Sequence, residues 1–270
     1  MIDSHAHIHD EKFDADRDEV IRRAFDDGIE SIITIGTNEQ TTKQAIEVAN
    51  KYEQVYATVA LHPLHLFDAY GDKSMVEEFD YNKYLEFAKD ENVVAIGEVG
   101  LDYHHFEDDD NVEAIKKLQK EVLGEFVKIA HQVDKPLVIH CWDGYDDLLD
   151  LLLSHTLQYK QEIGQCGVIH SFIGSWKTAQ KFIDLGFKIG LNGIITYSES
   201  YDKLIRNIDL GDILIETDCP YLTPAPLDRE SRNEPANVKY IAQKIAQVRC
   251  IDVEHVIETT TKNTKKLFGI

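Results

Sequence analysis

The chain begins Met1-Ile2-Asp3-Ser4-His5-Ala6-His7-Ile8-His9, and this stretch decides between two α/β architectures. An open doubly wound sheet normally follows its first strand with a glycine-rich turn that receives a nucleotide phosphate. Here the apolar run Ile2–His5 leads into His-Ala-His-Ile-His, so imidazoles stand where the glycines would. The opening therefore favours a (β/α)8 barrel, whose working residues sit at the C-terminal ends of its strands.

The remainder of the chain fits that choice. Short apolar runs recur at Ser31–Gly36, Val55–Leu61, Val93–Gly97, Pro136–His140, Gly167–His170, Phe187–Leu191 and Asp212–Glu216, which with the first makes eight. Between them lie segments with helical spacing: Asp16–Asp27, Gln40–Tyr52, Tyr81–Lys89, Val112–Val133, Tyr145–Ser154, Trp176–Leu185 and Ser200–Asn207. The spacing in Val112–Val133 predicts one apolar face formed by Val112, Ile115, Leu118, Val122, Phe126 and Ile129. Val238–Val248 and Val253–Phe268 follow the eighth strand and are expected to close the structure. Strand–helix alternation implies parallel strands with right-handed crossovers. No repeat, linker or shift in composition divides the chain, so 1–270 reads as a single TIM-barrel domain.

Composition narrows the partners. Hydrophobic residues make up 43% of the chain, enough for a sizeable core. A net charge of −21 argues against affinity built on sequence-independent contacts with nucleic acid, which normally needs a basic surface. Any phosphate must instead be held by metals and a few local cations. Cys141, Cys166, Cys219 and Cys250 form no C-x-x-C pair, and no export signal or membrane span is evident. A cytoplasmic protein with reduced thiols is expected, with no membrane association and no obligate protein partner.

Polar residues that end apolar runs are the ones a barrel places at its mouth. His5 and His7 stand two apart after the first strand, so both rings can face one side. Glu98 ends the fourth run, His140 the fifth and His170 the sixth, and Asp218 follows the eighth. One histidine at a strand end is ordinarily a hydrogen-bonded structural residue. Several imidazoles and carboxylates on one rim would each cost several kcal/mol if buried unpaired, roughly, and divalent cations are the natural compensation. His9, His131, His155 and His255 are expected at the surface. His104 and His105 follow the fourth strand within reach of the mouth, and His62, before Pro63, is a candidate substrate contact.

A nitrogen-rich ligand set suits zinc, manganese or iron better than magnesium. Two divalent ions bring a charge of +4 against −2 from Glu98 and Asp218, which leaves room for an anionic substrate. Glu98 is expected to bridge the ions, and Asp218 to orient or deprotonate the attacking water. No serine or cysteine nucleophile is required; strand alternation should turn Ser171 and Cys141 away from the axis.

These segments resemble TatD-type deoxyribonucleases. The resemblance is carried by Ser4-His5-Ala6-His7, Gly97-Glu98-Val99-Gly100-Leu101-Asp102-Tyr103, His170-Ser171-Phe172-Ile173-Gly174-Ser175 and Asn192-Gly193-Ile194-Ile195-Thr196-Tyr197. It is most specific in Glu216-Thr217-Asp218-Cys219-Pro220-Tyr221-Leu222-Thr223-Pro224, and continues through Arg232-Asn233-Glu234-Pro235 to the C-terminal tail. It implies a metal-dependent hydrolase of the amidohydrolase-like barrel superfamily that cleaves DNA phosphodiesters, with His5, His7, Glu98, His140, His170 and Asp218 as ligands. Magnesium is the ion commonly associated with that family.

Three departures bear on the substrate. Cys141-Trp142 replaces the family's small residue and arginine after the strand-five histidine; the indole offers a stacking surface worth roughly 1–3 kcal/mol per base. The strand-three motif reads His62-Pro63-Leu64-His65, with its second histidine displaced. The loop Leu227 to Arg232 carries Asp228 and Glu230 where the family favours basic residues, and Arg229 and Arg232 are the remaining candidate phosphate contacts. DNA, as single strands or ends, is the expected substrate. The competing reading is hydrolysis of another ester or amide, as in an aminoacyl-tRNA deacylase, a lactonase or a cyclic amidase. A non-enzymatic scaffold would have no physical need for the ligands.

Overall fold

The first strand forms where its pattern places it: β1 (Ile2–Ala6) is buried along its whole length. The computed structural model describes residues 1–69, 71–107, 111–163 and 166–270, with residues 156–163 described by backbone alone. The other strands are β2 (Ser31–Ile35), β3 (Val55–Val59), β4 (Val93–Asp102), β5 (Leu137–Trp142), β6 (Gly167–Ile169), β7 (Phe187–Leu191) and β8 (Ile213–Ile215). They stand in sequence order in one eight-stranded sheet, each paired in parallel with the next. The helices are α1 (Arg17–Asp26), α2 (Glu39–Lys51), α3 (Tyr81–Phe87), α4 (Val112–Val133), α5 (Tyr145–Ile163), α6 (Trp176–Asp184), α7 (Asp202–Asn207), α8 (Val238–Arg249) and α9 (Val253–Phe268). This is the (β/α)8 barrel expected.

The sheet curls until β8 meets β1, and that seam is held by point contacts. Asp218 N donates to the His5 carbonyl at 2.8 Å, and His7 N donates to the Cys219 carbonyl at 2.7 Å. The buried Asp3 carboxylate accepts from Thr217 N and Thr217 Oγ1, and Ser4 Oγ donates to the Ile215 carbonyl. Polar residues in an otherwise apolar strand thus satisfy backbone groups that a regular ladder would have satisfied. The seam also ties the backbone of His5 and His7 directly to that of Asp218.

Strand interiors divide the core in two. Ile33, Ile35, Ala95, Val138, Val168 and Leu214 come from five strands and meet one another, which they can do only across the barrel axis. Leu267 and Phe268 at the end of α9 join them. The larger cluster lies between the strands and the helices, with Phe126 of α4 and Phe182 of α6 fully buried in it. Strands covered on both faces read as continuous apolar runs, which is why the eight were visible in the sequence. Among the described residues no helix is long and apolar enough to cross a membrane.

Three details depart from expectation. β4 does not stop at Gly97; it continues to Asp102. Gly100 permits this, because a Cβ there would overlap the His140 carbonyl as β4 and β5 close on each other. Gln119 completes the extension: its amide receives Asp102 N at 3.0 Å and donates to the Asp102 carbonyl at 3.2 Å, as a neighbouring strand would. That requirement rotates α4 from the face its apolar spacing predicts, so Gln119 is fully buried and Leu118 is 39% exposed. His9 is buried, not at the surface, and shares a hydrogen bond of 2.9 Å with Thr34 Oγ1. Burial first, and then the neighbouring His7 and Arg17, push its pKa down to about 3.

Candidate metal centre

Two bulges aim the central side chains. In β4, Gly97 pairs with Val138 and Val99 with Ile139, so Glu98 is an extra residue with no partner in β5. In β1, the register slips by one between Asp3 and Ala6. A bulge bends its strand and redirects a side chain. Glu98 and His5 consequently meet, with His5 Nε2 at 3.3 Å from Glu98 Oε2 and 3.6 Å from Asp218 Oδ1.

The six expected ligands converge. His7 Nε2 lies 3.3 Å from Asp218 Oδ1, His140 Nδ1 lies 3.0 Å from Glu98 Oε1, and His170 Nε2 lies 3.5 Å from the same Glu98 oxygen. His62, read from the sequence as a substrate contact, also reaches Glu98 Oε1 at 3.5 Å. Three ligand groups with metal-compatible spacing overlap here: His5, His170 and Asp218; His5, His7 and Glu98; His62, Glu98 and His140. They open into a cavity of about 530 Å³ at the C-terminal mouth.

The ring nitrogens test whether a cation fits. His7 Nδ1 donates to the Ile35 carbonyl at 3.1 Å, which leaves the Nε2 lone pair facing the cluster. His170 Nδ1 lies 2.9 Å from Glu216 Oε1 as an ion-pair contact without hydrogen-bond geometry, while Nε2 faces Glu98. Outer contacts of these kinds orient a ligating imidazole and raise its basicity. His5 is fully buried and neither ring nitrogen has a hydrogen-bond partner. Orphaned nitrogens in a dry interior are costly unless a ligand occupies them, and an electrophilic ion between His5, Glu98 and Asp218 meets that need. The residues fit a divalent metal.

Charge states agree with the geometry. Burial works against ionising Glu98, but His170, His62, His5 and His140 outweigh it and hold the carboxyl well below its usual range. Asp218 is similarly lowered to about 2, with His7, His170 and His5 overcoming burial. His62 is held down to about 4, by burial first and then by His140. Its Nδ1 accepts Leu64 N at 3.2 Å, so the neutral ring carries its proton on Nε2, toward the cavity.

Four site residues escaped the sequence reading. Asp102, fully buried at the end of the prolonged β4, accepts from His104 N, His105 N and His105 Nδ1, and holds His140 Nε2 at 2.9 Å. Glu216 buttresses His170 and accepts Ser171 N at 2.7 Å; a Cβ on Gly190 would collide with its carboxylate. His9 and His65 line the cavity, His65 despite its displaced position. The signals were Leu101-Asp102 beyond an apparent strand end and Glu216 at the close of the eighth run. Both look like ordinary polar termini until their partners are known.

The remaining candidates are placed as follows. Arg232 makes a two-pronged pair with Asp16 at 2.8 and 2.7 Å and also reaches Glu234. Arg229 stacks on Tyr197, 3.6 Å from the ring centroid. Neither lines the cavity. Trp142 does, stacked against His104 at 4.3 Å between centroids. His105 lines it too, while His104 pairs with Asp143. Cys141 and Ser171 border the cavity, contrary to strict alternation. Ser171 leaves the strand with φ 47°, and burial pushes the Cys141 thiol up to about 12, which disarms it as a nucleophile. His131, His155 and His255 are exposed as expected.

Substituting Glu216 by glutamine should weaken divalent-metal binding about 10- to 100-fold, with the far-UV circular dichroism spectrum unchanged. The amide still accepts Ser171 N but no longer polarises His170. A metal titration giving wild-type affinity would show that His170 needs no such support.

A barrel mouth that gathers four further imidazoles and two ionised acids around a buried His5 with no hydrogen-bond partner on either ring nitrogen defines a metal-dependent hydrolase. The profile of the family described as "TatD related DNase" matches residues 2–269, and the chain belongs to that family. The chain is 35% identical to an uncharacterized metal-dependent hydrolase, YabD, of Bacillus subtilis, covering 100% of this chain and 99% of the relative. It is 30% identical to the 3'-5' ssDNA/RNA exonuclease TatD of Shigella flexneri, covering 100% and 99%. The crystal structure of the Escherichia coli TatD homolog YjjV superposes with a TM-score of 0.84 at 28% identity, covering 100% of this chain and 98% of that one.

Proposed function

We propose that this chain is a metal-dependent phosphodiesterase that hydrolyses DNA, acting on single strands or ends that enter the barrel mouth. The observation that carries the reading is the overlap of three ligand groups through the buried His5 and through Glu98, at one cavity lined by His7, His62, Glu98, His140, His170 and Asp218. Membership of a DNase family supports it, and the relative named as a 3'-5' ssDNA/RNA exonuclease supports attack from an end.

Overlapping ligand groups support two cations. His5, His7 and Asp218 would hold one side, Glu98 would be shared, and His140 and His170 would complete the set. The nitrogen-rich donors favour zinc, manganese or iron, with magnesium the alternative. When bound, such ions supply Lewis acidity to a phosphate and acidify a water. The chain's own residues do the rest. Asp218, ionised and fixed at the seam, orients the attacking water and receives its proton. His62 presents Nε2–H to a non-bridging phosphate oxygen. Trp142 and Tyr221 form apolar walls for a base. Cys141, Cys166, Cys219 and Cys250 form no disulfide, which supports a reducing, cytoplasmic setting.

The test is a hydrolysis panel with metal-loaded protein: single-stranded DNA, duplex DNA, carboxyl esters, lactones and cyclic amides. Cleavage of single-stranded DNA that stops on chelation is expected. Turnover of the carboxyl substrates with DNA untouched would replace this reading with the ester or amide hydrolase.

A further inference from the structure

The wall of the cavity sets how many phosphates a substrate can bring. Among the described residues lining it none is lysine or arginine, and the acids Asp10, Glu98, Asp102 and Asp218 face it instead. The arginines nearby are committed. Arg17 donates to the carbonyls of Ile8, His9 and Asp10, Arg232 is held by Asp16 and Glu234, and Arg229 lies on Tyr197. One cation differs. Lys12 Nζ sits 4.3 Å from the centroid of the Tyr221 ring, and Tyr221 lines the cavity mouth.

We propose that the site takes short oligonucleotides, the metal cluster carrying the scissile phosphate and Lys12 the single flanking phosphate. This rests on the phosphodiesterase reading and narrows its substrate. Cations bound among the ligands compensate their acids and one anionic diester. The ammonium on Tyr221, at the rim, supplies the next positive charge. A further phosphate would find no lysine or arginine among the described residues lining the cavity, in a protein of net charge −21. A single strand held by Z protein cations loses affinity with salt at a log–log slope of about −0.7Z. With one rim cation the slope for a short substrate is therefore shallow. For a long strand, repulsion between its phosphates and the acidic protein dominates at low salt, and added salt screens it.

The experiment compares a DNA dinucleotide, a trinucleotide and a single strand of about 20 nucleotides. All are unlabelled, assayed with metal-loaded protein at fixed divalent ion and varied monovalent salt, and analysed by chromatography of the products. Fluorescence anisotropy with labelled phosphorothioate versions gives binding independently of turnover. At low salt, kcat/KM for the trinucleotide should exceed that for the long strand at least tenfold. The trinucleotide, too short to carry a condensed counterion atmosphere, should show a negative salt slope no steeper than about −0.7, and the long strand a slope of zero or above. Lys12→Gln should lower the trinucleotide-to-dinucleotide preference about fivefold and flatten the trinucleotide's slope. A long strand that is preferred, or whose slope is steeper than −2, overturns the length inference and leaves the phosphodiesterase reading standing. An unchanged preference in Lys12→Gln overturns the assignment of the flanking phosphate. If no oligonucleotide of any length is bound or cleaved, the phosphodiesterase reading fails and this inference fails with it.

Discussion

Asp218→Asn should lower kcat about a thousandfold while leaving the protein folded, the scale at which positioned proton acceptors act. The substitution is chosen to spare the backbone. Asp218 sits at φ 59°, in the left-handed region, where asparagine is among the best-tolerated residues. Its N–H still closes the β1–β8 seam through the His5 carbonyl. What changes is the charge and the capacity to take a proton. The carboxylate, held down to about 2, is ionised throughout the neutral range, whereas an amide there is neither anion nor base. Metal content measured on the same preparation separates two causes. A full complement of metal with lost turnover assigns the proton to Asp218, and loss of metal assigns it the role of ligand. Retention of more than a tenth of wild-type kcat with metal bound would remove Asp218 from the chemistry.

Much of this site was legible because its chemistry breaks a pattern. Apolar runs alternate with helical spacing, so a histidine or acid at the end of a run stands out, and β/α topology sends all such ends to one mouth. What stayed hidden depends on partners distant in sequence. Gly97 and Gly100 read as the end of a strand, yet glycine at Gly100 is needed because β4 presses against the His140 carbonyl. The extension carries Asp102 under His140, and nothing near Asp102 in sequence announces that contact. The bulge at Glu98 is likewise a property of register, set by pairing with β5. Gln119 interrupts a helical apolar stripe for a backbone group 17 residues earlier, and Leu118 is displaced outward as a result. Arg232 illustrates the converse limit. Its charge suggested a phosphate contact, but Asp16, remote in sequence, lies close enough for a two-pronged pair.

Metal binding should release about two to three protons per filled cluster at pH 7, from His140, His170 and His7, and the apparent affinity should climb steeply up to about pH 9. Burial would lower the His7 ring, but Asp218 and Glu98 raise it above its usual value. Burial opposes charging His170, but Glu216 and Glu98 overcome it and raise the ring to about 10. His140 rises to about 9, with Asp102 and Glu98 outweighing burial. Both rings are therefore protonated at neutral pH in chelator-treated protein, and a ligating imidazole must give up that proton. Glu98 and Asp218 are already ionised and contribute none. While these protons are displaced, affinity gains about tenfold per pH unit for each. The same shifts govern stability. Folded-state values above the usual 6.5 stabilise chelator-treated protein fully below that pH, and the contribution fades as pH rises through about 9 to 10. Its Tm should fall across that interval, while the Tm of the metal-loaded protein, whose imidazoles bind without protons, should stay level. Calorimetric titration in buffers of different ionisation enthalpy counts the protons directly. A binding enthalpy independent of buffer would mean that His7, His140 and His170 are already neutral, and that their carboxylate neighbours orient the rings without charging them.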